Sequence, residues 1–295
     1  MKTGESARMA LAVALLALGA IAMGASPIFV RLADVGPYAS AFWRTFLALP
    51  FLWVWARAEG PLTLTSDRSV VLSGVFFAGD LIFWHLAIFA TTVANATFLA
   101  TTTPIWVALG AWLVLSEMIG ARILAGIALC LAGGAALVGQ SYGFAPQRLM
   151  GDLFGVITAV FFGCYMLAIR AARLRMRAGQ LAFYSTAITA ACLFVVAFAL
   201  EPAMLPRSLG GVAALLALAL ISQVAGQGLM AVALGTLPAT FSSLVIFVEA
   251  IAAAIFGWII LSEALDLMQI AGGALILVGI WIARPRAAKT AEAIP

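Results

Sequence analysis

Long apolar stretches alternate with short polar ones along almost the whole chain. Each stretch is close to the roughly 20 residues that an α-helix needs to cross the hydrocarbon core of a bilayer. The pattern therefore predicts an all-α integral membrane protein with ten transmembrane helices and little structure besides them. The predicted spans are residues 9–32, 37–56, 69–90, 94–115, 119–139, 153–172, 180–200, 209–234, 236–261 and 267–283.

Composition agrees with a membrane environment. Of the 295 residues, 65% are hydrophobic and 9% are charged, and the mean hydropathy is +1.14. A soluble globular domain carries about 25% charged residues, so this chain cannot form a water-soluble globule. Lys2 and Arg8 before the first run could mark a cleavable signal peptide. The apolar run continues past Gly24, however, and we expect it to be retained as the first span.

The C-terminal half repeats part of the N-terminal half. Shifted by 146 positions, residues 105–135 lie on residues 251–281, and 12 of the 31 aligned pairs are identical. Such agreement indicates a duplicated unit. The identical pairs include Trp112 with Trp258, the three residues Leu-Ser-Glu at 115–117 with those at 261–263, Gly126 with Gly272, and Gly133 with Gly279.

Weaker matches extend the duplication toward the N-terminus of each copy, where Phe42 and Thr45 match Phe183 and Thr186 at an offset of 141. Because each copy has five predicted helices, the second copy enters the membrane from the opposite side. The copies are then related by a pseudo-two-fold axis in the membrane plane, as in many secondary carriers. We expect a single membrane domain, 1–295, made of a first repeat at 9–139, a linker loop at 140–151, a second repeat at 152–284 and a cytoplasmic tail at 285–295.

Basic residues predict the orientation. If the N-terminus is cytoplasmic, most Lys and Arg lie in cytoplasmic segments, with the largest group at 170–177. Only Arg31, Arg148 and Arg207 then lie in segments on the other side. This positive-inside bias places both termini in the cytoplasm. It also accounts for the net charge of +4 without a nucleic-acid partner.

The ten spans, the 5+5 inverted duplication and the Leu-Ser-Glu that ends the fourth helix of each half resemble the drug/metabolite transporter superfamily, in its EamA-type exporter branch. The resemblance covers nearly the whole chain and implies a secondary transporter. Within that branch, the aromatic content and general pattern are similar to those of bacterial aromatic amino-acid exporters of the YddG type. The chain departs from the branch in the ninth helix, where the position matching Pro104 is Ala250. A helix break that depends on that proline is therefore not implied for the second half.

Ionisable residues inside predicted spans are rare, and there an unpaired charge costs about 3 kcal/mol or more and tends to mark a transport path. At an offset of 143, Asp80 and Trp84 match Gln223 and Gln227, so both copies place two large side chains at i and i+4 on one helical face. We predict that helices three and eight face each other across a central cavity. The ionisable residues well inside spans are Arg44, Asp80, His85 and Glu249.

Helices four and nine supply the rest of the predicted cavity. Asn95, Thr102 and Trp106 fall within about 40° of one another on an ideal helix. Ser242 and Glu249 have a matching seven-residue spacing in helix nine. The glycines of helices five and ten instead allow close backbone approach, so these two helices are predicted to pack outside the pathway.

Some of these residues have two interpretations. Arg44 either neutralises one of the two buried carboxylates or binds a substrate carboxylate. His85 lies about 140° around the helix from Asp80, so it is either a packed structural residue or a ligand. Trp84 and Trp106 lie nearer the middle of their spans than the other tryptophans, and they either line the cavity or pack between helices.

Motifs for other function classes are missing from the sequence. One histidine, no H-E-x-x-H and no paired aspartates argue against a zinc or magnesium enzyme, and no Walker or Rossmann glycine motif occurs. Three cysteines lie inside spans, so neither a disulfide nor a metal site is expected. We interpret the protein as a monomeric exporter of small amphipathic metabolites, chiefly amino acids, that works without a cofactor by alternating access in the bacterial cytoplasmic membrane. The alternatives are a multidrug or nucleotide-sugar carrier of the same fold, or a passive facilitator or channel.

Overall fold

The computed structural model describes residues 2–62, 67–115, 119–138, 146–261 and 267–285, and these residues are almost entirely helical. Ser-Glu of both Leu-Ser-Glu motifs, half of the predicted linker and most of the predicted tail lie outside the described residues. A 3-10 turn at Pro146–Arg148 and a π-helix at Leu218–Gln227 accompany the α-helices. The α-helices are α1 Lys2–Gly24, α2 Ser26–Leu32, α3 Pro37–Phe46, α4 Leu49–Glu59, α5 Arg68–Ala90, α6 Val93–Ala100, α7 Thr103–Leu115, α8 Ala121–Val138, α9 Leu149–Ala172, α10 Ala178–Leu200, α11 Leu209–Ala217, α12 Gly228–Ala233, α13 Ala239–Val245, α14 Val248–Leu261 and α15 Leu267–Ala283.

Seven helical stretches of the described chain are long and apolar enough to cross a membrane. Two shorter apolar helices lie at Ala121–Leu137 and Leu267–Ala283. The remaining predicted span, 37–56, is divided between α3 and α4. The prediction of an all-α, multi-pass membrane protein is therefore confirmed. The seven long stretches are Ala7–Leu32, Arg68–Ala90, Asn95–Leu113, Leu149–Ala172, Ala178–Leu200, Leu209–Ala233 and Ala239–Phe256.

Three predicted spans of the first half are interrupted where a proline opens the next helix. Pro27, Pro50 and Pro104 stand in the first turns of α2, α4 and α7. A proline lacks the N–H that would continue the preceding helix, and its ring clashes with the previous turn. Between α6 and α7 the hydroxyls of residues 101–103 donate to the carbonyls of residues 98–100 at 2.6 to 2.7 Å, which satisfies groups that the break leaves open.

The ninth predicted span is interrupted as well, although it lacks the proline. α13 ends at Val245 and α14 begins at Val248. Across the gap the N–H of Glu249 donates to the carbonyl of Ile246 at 2.8 Å, a tighter three-residue spacing than an α-helix uses. Every residue of α13 is buried, so packing from neighbouring helices stabilises this break where the first half uses a proline.

α8 and α15 pack against each other in opposite directions. A Cβ atom on Gly126 would stand 2.9 Å from the carbonyl oxygen of Gly279, and one on Gly133 would stand 2.6 Å from that of Gly272. At the offset of 146, Gly126 corresponds to Gly272 and Gly133 to Gly279, so the two contacts are equivalent under the duplication. The glycines thus allow the matching helices of the two halves to touch backbone to backbone.

A second antiparallel pair joins α3 and α4 to α10. Glu201, which follows α10, accepts hydrogen bonds from the backbone N–H groups of residues 38 and 39 at 3.0 and 3.2 Å. Glu59, at the end of α4, accepts them from residues 179 and 180 at 2.9 and 3.2 Å. Under the offset of 141, residues 38–39 match 179–180. Each helix therefore ends in a carboxylate that caps the positive N-terminus of the other.

The predicted linker is shorter than expected. α9 begins at Leu149, so residues 149–151 of the predicted linker are helical. Asp152 kept this turn out of the predicted apolar run. The structure buries Asp152 because its Oδ1 accepts hydrogen bonds from Thr91 at 2.8 Å and from Asn95 at 3.1 Å.

α5 and α9 form a central pair that fixes the position of Asp80. The Phe77 ring stacks on Tyr165 with centroids 4.5 Å apart. One turn further along α5, the Thr158 hydroxyl donates to the carbonyl of Asp80 at 3.1 Å. Both contacts hold α5 against α9 around Asp80, which lines a cavity together with Thr158 and Phe162 of α9.

Candidate functional site

A charged cavity lies in the interior of the bundle, and both halves of the chain contribute to it. Its polar lining comes from the start of α2, from α3, α5, α6 and α9, from the π-helix and from α14. The interrupted helices therefore place their ends around this space, as is common where transporters bind a substrate. The chief polar lining residues are Ser26, Arg44, Asp80, Thr97, Gln227 and Glu249.

Apolar side chains line the cavity as well. Trp84, Phe162 and Met23 lie there, each almost fully buried. The cavity therefore offers both polar and apolar contacts to a bound molecule.

The cavity is narrow in this conformation. About 50 Å³ is open to the centres of water molecules. At about 10–15 Å³ for each water, that is room for only a few.

The Arg44 guanidinium is buried, with 3% of the residue exposed. Its Nε donates to Oε1 of Gln223 at 3.1 Å, and its Nη1 donates to Oγ of Ser26 at 3.2 Å. Both acceptors are neutral. Among the described residues, no carboxylate lies within 4.0 Å of the Arg44 nitrogens, so its charge is not cancelled by a direct ion pair.

Asp80 and Glu249 supply two carboxylates to the same cavity. In the described part of the chain, neither side chain takes part in a hydrogen bond or an ion pair. Gln227 and Thr97 each add one buried side-chain oxygen that has no hydrogen-bond partner among the described residues. The site thus presents one cation and several open acceptors to whatever occupies it.

The π-helix at Leu218–Gln227 carries both glutamines of the site. π-helices are rare and frequently mark functional positions. Here Gln223 contacts Arg44, whereas Gln227 lines the cavity and donates to the sulfur of Met23 at 3.2 Å.

Comparison with known proteins gives the family. A model of the EamA-like transporter family matches residues 10–139 and again residues 149–284. The chain belongs to the EamA-like transporter family. It is therefore a multi-pass membrane transporter, and the predicted resemblance to this branch is confirmed.

Relatives of this EamA-like transporter cover most of its length. An uncharacterized transporter of Archaeoglobus fulgidus is 27% identical over 284 residues, which is 91% of this chain and 95% of the relative. The pseudopaline exporter CntI of Pseudomonas aeruginosa is 27% identical over 238 residues, 80% of this chain and 82% of the exporter. A solved crystal structure superposes with a TM-score of 0.76 at 19% identity and covers 92% of this chain and 97% of its own, which shows a shared fold.

The transporter's cavity includes about half of the residues that the sequence singled out. Asp80, Trp84, Gln227 and Glu249 line it, and Arg44 does too. Gln223 lies behind Arg44 and holds it by a hydrogen bond. Asp80 and Gln227 therefore meet across one cavity from α5 and the π-helix.

Other residues proposed for the cavity lie elsewhere. Nδ1 of His85 bonds within its own helix to the carbonyl of Leu81 at 2.7 Å, which fits the structural interpretation. Asn95 donates to Asp152, and Thr102 donates to the carbonyl of Leu99.

Trp106 and Ser242 are also absent from the described cavity lining. The backbone around Trp106 packs on Gly163, and the Ser242 hydroxyl is buried without a partner. The break at Thr101–Thr102 explains Trp106, because an ideal helical wheel cannot be continued across an interruption.

Thr97, Thr101 and Ser26 line the cavity but were not singled out from the sequence. Thr97 and Thr101 have the four-residue spacing of one helical face before the break. Pro27 directly after Ser26 signals the start of a new helix. Both signals were present in the sequence and could have been used.

Proposed function

We propose that this transporter exports small amphipathic metabolites that carry both a carboxylate and an ammonium group, chiefly amino acids with apolar or aromatic side chains. The observation that carries the proposal is the Arg44 guanidinium in the same cavity as Asp80 and Glu249, with no direct ion pair between them. Buried charges are unfavourable until they are paired. A zwitterion can pair with both signs at once.

Each part of such a substrate has a matching group. Its carboxylate would bind the guanidinium of Arg44, whose planar fork suits two parallel hydrogen bonds. Its ammonium would bind Asp80 or Glu249. Its side chain would lie against Trp84 and Phe162, where apolar surface is removed from water. The pseudopaline exporter among the relatives supports export of a small metabolite.

Alternating access is the proposed mechanism, with the 5+5 inverted repeats as its two moving parts. The antiparallel contacts of α8 with α15, and the reciprocal caps between α4 and α10, support an inverted pseudo-two-fold relationship. One chain contains the whole cavity, so a monomer suffices.

Counterflow in proteoliposomes tests the proposed substrate class. We expect exchange of labelled phenylalanine to saturate and to be accelerated by phenylalanine on the far side. Phenethylamine lacks the carboxylate and 3-phenylpropionate lacks the ammonium, so both should compete more weakly. Transport that saturates without acceleration would indicate a passive facilitator. Stronger competition by phenethylamine or by bulky cations would indicate a multidrug carrier, and competition by nucleotide sugars would indicate that class.

We also infer that both termini lie on the cytoplasmic side of a bacterial cytoplasmic membrane, with repeats at 9–139 and 152–284. A reporter active only in the cytoplasm should give signal when fused after Arg175 or after Arg286, because the basic segments remain inside. A fusion after Gln147 should be silent. All three fusions need equal amounts of protein on an immunoblot, and signal after Gln147 would contradict the inverted arrangement.

A further inference from the structure

The guanidinium of Arg44 is held at a fixed angle. An arginine has five N–H donors in a rigid fork, and here two of its three nitrogens already have neutral partners, Gln223 and Ser26. Nη2 makes no hydrogen bond to any residue that the structure describes. Arg44 lines the cavity, so the donors of its fork that have no protein partner are available to a molecule bound there.

Gln223 is itself fixed from behind. Its Nε2 donates to Oγ1 of Thr186 at 3.2 Å, and only 2% of Gln223 and 3% of Thr186 are exposed. The amide therefore has a defined orientation, with its oxygen toward Arg44 and its nitrogen toward α10. The hydrogen bonds run without interruption from Ser26 in the first half, through Arg44, to the second half.

Gln223 is uncharged, and this affects how much positive charge Arg44 presents to the cavity. An amide oxygen accepts a hydrogen bond from the guanidinium and leaves the positive charge available. A carboxylate at the same 3.1 Å would form an ion pair and remove most of that charge from the cavity. Asp80 and Glu249, which do carry carboxylates, form no ion pair with Arg44.

The π-helix allows one helical segment both to hold Arg44 and to line the cavity. Gln223 contacts Arg44 behind the cavity, and Gln227, four residues later, reaches the cavity itself. The wider turn of a π-helix changes the angle between such side chains. Ser222, the direct neighbour of Gln223, points elsewhere and donates weakly to the carbonyl of Ala22 at 3.4 Å.

We propose that Gln223 is the residue that determines whether the cavity selects a carboxylate, because it orients Arg44 without neutralising it. The inference rests on the proposed function and extends it to a specificity determinant. Gln223 acts through Arg44 and is a positioning residue. Gln223→Glu should therefore lower the preference for amino acids over the matching amines.

The test compares half-saturating concentrations of phenylalanine and phenethylamine in proteoliposomes, since these two molecules share a side chain and differ in one carboxylate. Gln223→Glu should lower the preference for phenylalanine about tenfold or more, as expected for loss of a charge-assisted interaction. Gln223→Leu removes the acceptor and should lower the preference for phenylalanine several-fold. This corresponds to about half of the free-energy change behind a tenfold effect. Ser222→Ala, a matched change one residue away, should leave the preference unchanged.

The ratio of the two half-saturating concentrations separates positioning from a structural role. A residue needed only for folding would reduce the amount of active protein and the maximum rates for both substrates equally, with no change in the ratio. An unchanged ratio in both Gln223 variants, with a wild type that prefers phenylalanine, would overturn this inference and leave the proposed function standing. A wild type without that preference would overturn both. If Gln223→Glu does not fold, the ratio of Gln223→Leu decides.

Discussion

Replacing Arg44 with Gln should raise the half-saturating concentration of phenylalanine about a hundredfold. The substitution leaves the substrate carboxylate buried without its cation. Removing one partner of a buried charge pair costs about 2–5 kcal/mol, and about 3 kcal/mol corresponds to a factor of roughly a hundred. The measurement is counterflow in proteoliposomes, normalised to folded protein determined by size-exclusion chromatography.

Two controls accompany this prediction. Arg44→Lys keeps the positive charge but loses the planar fork and its bond through Nε, so an intermediate effect is expected. Phenethylamine has no carboxylate, so its transport by Arg44→Gln should persist. A fully folded Arg44→Gln protein that transports phenylalanine normally would show that Arg44 serves only to offset Asp80 and Glu249 during membrane insertion.

Gly272→Ala should strongly lower thermal stability, whereas Gly273→Ala should not. A Cβ atom at Gly272 would lie 2.6 Å from the carbonyl oxygen of Gly133 and 2.7 Å from the backbone nitrogen of Leu137. Backbone atoms of a packed helix cannot yield, so overpacking of about 1–3 kcal/mol is expected. At Gly273 the nearest atom is 4.0 Å away, and there alanine favours the helix by up to about 1 kcal/mol.

Thermal unfolding in detergent, followed by tryptophan fluorescence, measures this pair of variants. Gly133→Ala provides a second test from the opposite helix, because its Cβ would lie 2.6 Å from the carbonyl oxygen of Gly272. It should lower the midpoint about as much as Gly272→Ala. Equal midpoints for Gly272→Ala and Gly273→Ala would contradict the close packing of α8 on α15.

Helix positions could be predicted because apolar runs of the right length leave the chain few other choices in a bilayer. Breaks could be predicted where a proline marks them, as at Pro104. The break between Val245 and Val248 has no such mark. It depends on packing from other helices, which the local sequence does not encode.

Site residues were predictable where depth and charge alone indicate a role. Asp80 and Glu249 are carboxylates far inside spans, and both line the cavity. Trp106 was placed by a helical wheel drawn across the break at 101–102, so its predicted direction did not carry over to the structure. Glu59 and Glu201 lie at span ends, and no local signal indicated that each caps the helix of the other.

By itself the sequence determined that this protein lies in a membrane, where its helical spans fall, that its halves are similar and to which family it belongs. Hydrophobicity and internal similarity are properties of the chain alone. Only the tertiary structure decided which polar groups meet. The hydrogen bond between Arg44 and Gln223 joins two residues that are 179 positions apart in the sequence. Such a contact depends on the packing of whole helices against one another, since side-chain direction in a span has meaning only relative to the neighbours that bury it.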